Sequence, residues 1–231
     1  MPSPLTEDLS PWLSQRPAPG LFGESVRRDT LLLGGAALLM AAFSVAFADV
    51  PVAESVRDMP RWVRKAADTL THLGRLEWVL VGAAIVAVVA AISRAKALLN
   101  WALLLLAAEA VAGVAVHLVK FAVGRPRPTL LFSDGLTWPA PFALGSDYSS
   151  MPSGHAATIA CLAAVLWLRF PRSWPIWLAI AAVIALTRVF TLSHYLSDVF
   201  VGVWIGAAAA LLIHLPFVNG GLLPRPDIKP V

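Results

Sequence analysis

The chain has 231 residues, 58% of them hydrophobic and only 14% charged, with a formal net charge of +4 and a mean hydropathy of +0.73. A soluble domain carries about a quarter charged residues, so this composition excludes a soluble core and points to one compact polytopic membrane protein. No basic stripe stands apart from the membrane-flanking segments, which argues against nucleic acid as a partner. The single cysteine, Cys161, excludes an intrachain disulfide.

In chain order, residues 1–29 read as an irregular, Pro-rich cytoplasmic arm ending in Arg27-Arg28. Apolar runs follow at about 30–48, 77–93, 98–119, 155–170, 174–191 and 197–215. Each is near the 17–25 residues needed to cross a bilayer. The expected fold is all-α, a six-transmembrane-helix bundle over 30–215 with a cytoplasmic tail at 216–231. Arg27-Arg28, Leu31 to Val45 and Ala46-Phe47-Ala48 also resemble an export signal with a cleavage site. The long segment before Arg27 and the five later spans favour keeping this run as the first transmembrane helix.

Residues 51–74 do not span. Pro60 can open a helix and Gly74 can close it, with Trp62, Ala66, Leu70 and Leu73 sharing one face and Arg61, Arg64, Lys65 and Asp68 on the remainder. That pattern predicts an interfacial helix between the first and second spans. Setting aside Lys120, Arg125, Arg127 and Arg188, nine Lys and Arg residues fall on the side of the termini and five on the other. The positive-inside rule then places both termini in the cytoplasm and the polar motifs outside.

Those motifs are three short stretches. Lys120 ends the third span, and Arg127-Pro128 follows in a proline-stiffened loop; Lys offers phosphate a point charge and Arg a planar fork. Pro152-Ser153-Gly154-His155 precedes an apolar helix, with Ser153 suited to the N-cap and Gly154 allowing close approach of an anion to backbone N–H groups. Arg188 lies near the end of the fifth span, an expensive place for a charge unless it faces a polar cavity. His194 and Asp198 are four apart, so on a helix they share a face and can hydrogen-bond, and Ser193 can cap that helix. A carboxylate on one ring nitrogen leaves the other free as a nucleophile. Taken singly, each stretch is also explained by membrane-boundary anchors, a plain helix cap or a structural His–Asp pair.

Together they resemble the type 2 phosphatidic acid phosphatase superfamily, whose pattern is Lys, six residues, Arg-Pro; Pro-Ser-Gly-His; and Ser-Arg, five residues, His, three residues, Asp. Order and spacing match, with Thr187 in place of the serine as the one departure. The resemblance implies that His194 attacks phosphorus to form a phosphohistidine, that Asp198 orients it, and that His155 protonates the leaving group and then activates water. It implies that Lys120, Arg127, Ser153, Gly154 and Arg188 hold the phosphate oxygens, with no cofactor and no metal. The role of Arg125, outside the matched positions, stays open.

Inside the third span, Glu109, Gly113, His117 and Lys120 line one helical face. Intramembrane ionisable residues are candidates for a substrate pocket, and interhelical hydrogen bonding explains Glu109 and His117 equally well. The expected protein is an integral lipid phosphatase of a bacterial cytoplasmic membrane, its site facing the cell exterior or periplasm and its partners a phosphorylated membrane lipid and the bilayer. Undecaprenyl diphosphate is the leading substrate, ahead of phosphatidylglycerophosphate, phosphatidic acid and lipid A phosphates. A lipid phosphotransferase and a phospholipid transporter or flippase are the alternatives.

Overall fold

The computed structural model describes residues 26–223; the arm before Val26, and Arg225 and Lys229 of the tail, lie outside the described residues. The elements are α1 (Val26–Phe47), α2 (Asp49–Arg57), α3 (Arg61–Thr71), α4 (Leu76–Ile92), α5 (Lys96–Val123), α6 (Pro128–Asp134), α7 (Gly154–Arg169), α8 (Trp174–Phe190) and α9 (Leu196–Asn219). The described residues contain no strand.

Helix ends follow local chemistry. Ser153 caps α7, its side chain accepting from the Ala156 N–H, and Pro128 occupies the first turn of α6, where no N–H is needed. Gly124 stops α5 with φ 58, and a Cβ there would stand 1.7 Å from the Ala140 carbonyl oxygen. Only glycine lets the following loop fold back onto this helix end.

Helix α7 is the hub, packed against α4, α5, α8 and α9. Its backbone nearly touches α9: a Cβ at Gly202 would lie 2.4 Å from the Ser153 carbonyl oxygen, and one at Gly206 1.9 Å from that of Ala157. Small residues permit this approach, which membrane helices use because packing rather than water drives their association. Helix α1 lies along α9, with Trp204 over Gly34 and its Nε1–H donating to the Thr30 carbonyl at 3.2 Å. The outer surface carries Leu31, Leu39, Phe43, Ile92, Val114 and Ile176, all exposed, as a lipid-facing belt requires.

Among the described residues, five segments are long and apolar enough to cross a membrane: Thr30–Phe47, Arg61–Ile92, Lys96–Asp134, Pro171–Phe190 and Leu196–Asn219. The fourth expected span, α7, falls short at 16 residues, about 24 Å of helix. Its cap at Ser153 and Pro171 bound it on both sides, and its neighbours rather than lipid cover most of it. The last helix runs further than expected, through Pro216 to Asn219, and Asn100 Nδ2 donates to the Leu222 carbonyl at 2.6 Å to hold its end.

Pro60 precedes α3 as anticipated, and a 3-10 turn at His72–Gly74 follows. Ala67, Thr71 and Gly74 face the bundle, while Trp62, Leu70 and Leu73 are exposed. The apolar stripe therefore looks away from the protein, the arrangement an interfacial helix needs.

Candidate active site

The C-terminal ends of α5 and α8 and the N-terminal ends of α7 and α9 meet at one end of the bundle. Each short motif sits where a helix starts or stops, so unpaired backbone groups and polar side chains collect there. Lys120, Arg127, Arg188, His155 and His194 lie within electrostatic range of one another. Three cations around two imidazoles, at a helix N-terminus, concentrate positive charge of the kind that suits an anion.

Each cation is held by hydrogen bonds to its neighbours. Lys120 Nζ donates to the Ser149 carbonyl. Arg127 donates through Nε to the Ser146 carbonyl at 2.8 Å and through Nη2 to Ser149 Oγ at 3.4 Å, while its own N–H binds the Asp147 carbonyl at 2.8 Å. Arg188 Nη1 donates to Thr71 Oγ1 at 3.0 Å, tying the interfacial helix to the site. Its buried Nε has no hydrogen-bond partner among the described residues, a donor left over for an anion. The Thr187 hydroxyl turns away, donating to the Ile184 carbonyl, so the departure from serine leaves the site untouched.

The geometry around His194 differs from the expected pair. Its Nδ1 lies 2.6 Å from the Ser150 carbonyl oxygen, and Asp198 Oδ2 is 3.7 Å away. A carbonyl can only accept, so Nδ1 carries the hydrogen and Nε2 keeps its lone pair free. The helix starts later than Ser193 as well: Tyr195 is the N-cap, and its N–H donates to Asp198 Oδ2 at 2.8 Å. His194 therefore precedes the helix, and the one-face argument for a direct bond to Asp198 does not apply. Burial pushes the His194 imidazole down to about 4; Asp198 pulls the other way, and Lys120 and Arg188 add to the fall.

Asp198 acts one step removed. Its Oδ2 accepts from Ser150 Oγ at 2.6 Å, fixing the residue whose carbonyl holds His194, and its Oδ1 receives Arg125 Nη1 at 2.7 Å. Arg125 continues through Nη2 to Asp49 Oδ2 at 2.8 Å, donates to Ser197 Oγ and lies over the Tyr195 ring at 4.3 Å. Asp49 Oδ1 accepts from the Ser197 N–H at 3.0 Å and from Ser44 Oγ at 3.1 Å. Asp49, Arg125 and Asp198 are all buried, so this is a closed ionic network beneath His194.

Ser150, Ser197 and Asp49 escaped the sequence reading, and Arg125, whose role it left open, bridges Asp49 and Asp198. Arg125 and Ser150 stand beside recognised motifs. Asp49 had no local signal, because its partner Arg125 is 76 residues away. The polar pair inside α5 is split: Glu109 is buried, at 1% exposure, and His117 is exposed, yet both line a cavity shared with His155 and Thr158.

The PAP2 superfamily model matches residues 101–219, more than half of the chain. The chain belongs to the PAP2 superfamily. It is 31% identical to a lipid A 1-phosphatase of Rhizobium etli over 193 residues, 79% of this chain and 82% of that one. It is 39% identical to a lipid A 1-phosphatase of Rhizobium johnstonii over 48% of this chain and 46% of that protein. Among solved structures, a transmembrane PAP2-type phosphatidylglycerolphosphate phosphatase from Bacillus subtilis superimposes with a TM-score of 0.63 at 22% identity, covering 80% of this chain and 94% of that one. Aquifex aeolicus LpxE follows with 0.53 at 21%, covering 72% and 94%. A multi-pass helical membrane phosphatase is thus met at the level of family and fold.

Proposed function

We propose that this PAP2 protein hydrolyses the 1-phosphate of a lipid A-type glycolipid through a phosphohistidine at His194. The observation that carries the chemistry is the Ser150 carbonyl on His194 Nδ1, which leaves Nε2 unprotonated toward a ring of three cations. The substrate reading rests on two similar proteins named lipid A 1-phosphatase.

In the first step Nε2 attacks phosphorus in line, forming the N–P bond as the bond to the lipid oxygen breaks, and His155 gives its proton to that oxygen. Lys120, Arg127, Arg188 and the N–H groups at the start of α7 neutralise the equatorial oxygens. In the second step His155 takes a proton from water, which attacks phosphorus and returns His194 to its starting state. Asp198 positions His194 through Ser150. The catalytic end faces the periplasm, as the charge bias of the loops supports.

The test is phosphate release in detergent from lipid A 1-phosphate, undecaprenyl diphosphate, phosphatidylglycerophosphate and phosphatidic acid, with His194→Ala as blank. Preference for lipid A without an added acceptor lipid supports this reading. Preference for undecaprenyl diphosphate returns the substrate first expected from the sequence. Dependence on an acceptor lipid marks a phosphotransferase.

A further inference from the structure

Between α4, α5 and α7, directly beneath the phosphate site, lies a cavity of about 140 Å³ with His155 and Gly154 in its wall. Its lining is polar for a membrane interior: Glu77, Glu109, His117 and Thr158 all face it. Glu109 is 1% exposed, and its Oε1 has no hydrogen-bond partner among the described residues. A buried carboxyl oxygen left unpaired is costly, and an intramembrane carboxyl marks function by default.

Position says which part of a substrate belongs there. In-line attack by His194 sends the leaving oxygen to the opposite face of phosphorus, where His155 protonates it. The alcohol attached to that oxygen then extends toward the cavity that His155 borders. One helical turn deeper, at Leu105 on α5 and Leu162 on α7, a second cavity of about 490 Å³ begins, lined almost wholly by apolar side chains. Along these helices a cationic cradle, a small acidic chamber and a larger apolar cavity follow one another in depth. That is the order of groups in an amphiphile with a phosphate, a hydroxylated head and acyl chains.

We propose that this chamber is a specificity site for the leaving alcohol, with Glu109 accepting hydrogen bonds from ring hydroxyl or amide groups of a sugar while the chains occupy the apolar cavity below. A bare alkyl or polyprenyl phosphate has no donor for Glu109 there and leaves its Oε1 unsatisfied, so the chamber selects for a hydroxylated head. The inference rests on the glycolipid reading above and adds the residues that make the choice.

Gly113 offers a clean probe, since it lines the chamber and a Cβ on it would meet nothing within 4 Å. Gly113→Leu therefore adds bulk to the chamber from a position where the first side-chain atom meets no neighbour, while Glu109→Leu and Thr158→Val remove the polar wall. Each variant is assayed in the same detergent on a lipid A-type sugar 1-phosphate and on dodecyl phosphate. The expected result is a KM for the sugar lipid raised at least tenfold by Gly113→Leu and Glu109→Leu, with kcat/KM on dodecyl phosphate within threefold of wild type for Glu109→Leu. Equal losses on both substrates in all three variants, or an unchanged sugar-lipid KM, overturn this proposal alone. A wild type that hydrolyses dodecyl phosphate but not the sugar lipid overturns both this proposal and the glycolipid reading.

Discussion

Arg125→Met tests the ionic network beneath His194. The side chain is 9% exposed and bridges two carboxylates, Asp49 at 2.8 Å and Asp198 at 2.7 Å, whose own exposures are 1% and 0%. Removing the cation strands two buried negative charges, and breaking a buried pair from one side costs about 3–5 kcal/mol. For a chain of this size each kcal/mol moves Tm by about 2–4 °C, so a fall on the order of 10 °C is expected from tryptophan fluorescence in detergent. The rate should fall as well, because Asp198 holds Ser150 Oγ and Ser150 holds His194. Adding Asp49→Asn to Arg125→Met should return part of the Tm, since one of the stranded charges is gone, and none of the rate. The double-mutant cycle should show coupling of roughly 0.5–3 kcal/mol, as for residues in one network. A Tm within 2 °C of wild type together with a rate within threefold would refute the argument.

Four further outcomes follow from the geometry. Removing the nucleophile in His194→Ala should cut phosphate release roughly 10⁴-fold or more, and His155→Ala about 10²–10⁴-fold. Acid-quenched turnover should trap phosphoenzyme in wild type and none in His194→Ala. The His194 resonance, assigned by its loss in that variant, should show a neutral ring from pH 8 down to pH 5.5 in ¹⁵N-histidine NMR. With a pKa of about 4 only about 1% is protonated at pH 6, against roughly three-quarters for an unperturbed imidazole. Because the folded value lies below the unfolded one, the unfolded chain takes up the proton first. This group therefore lowers stability as pH drops from about 6.5 toward 4; titration near 6.5 in the folded protein would contradict the burial argument. Gly206→Val should prevent assembly of a monodisperse protein in size-exclusion chromatography. Its Cβ would stand 1.9 Å from the Ala157 carbonyl oxygen, and a backbone atom cannot move aside as a rotamer can, so the cost exceeds the ~1–3 kcal/mol of ordinary overpacking.

The reach of the sequence follows the range of each interaction. Apolar runs report on the bilayer one segment at a time, so helix positions were legible to within a few residues: 77–93 became Leu76–Ile92 and 174–191 became Trp174–Phe190. For α7, hydropathy records the apolar character but neither the 16-residue length nor the neighbours that enclose the helix. The motifs were legible because a phosphate site needs cations, a glycine turn and imidazoles at helix ends. Those residues are uncommon in an apolar chain.

By itself, then, the sequence determined that this is a helical membrane protein carrying the PAP2 pattern in three separated motifs, since composition and short-range spacing express both. Tertiary structure alone decided who holds whom. The bond on His194 comes from the Ser150 carbonyl, 44 residues away, and Asp198 is neutralised by Arg125, 73 residues away. Asp49 joins across 148 residues through Ser197. The acidic chamber exists only because α4, α5 and α7 enclose it. A helical period relates residues three or four apart; hydrogen bonds at 2.6–3.0 Å between helix ends depend on how the helices pack, which no local pattern encodes.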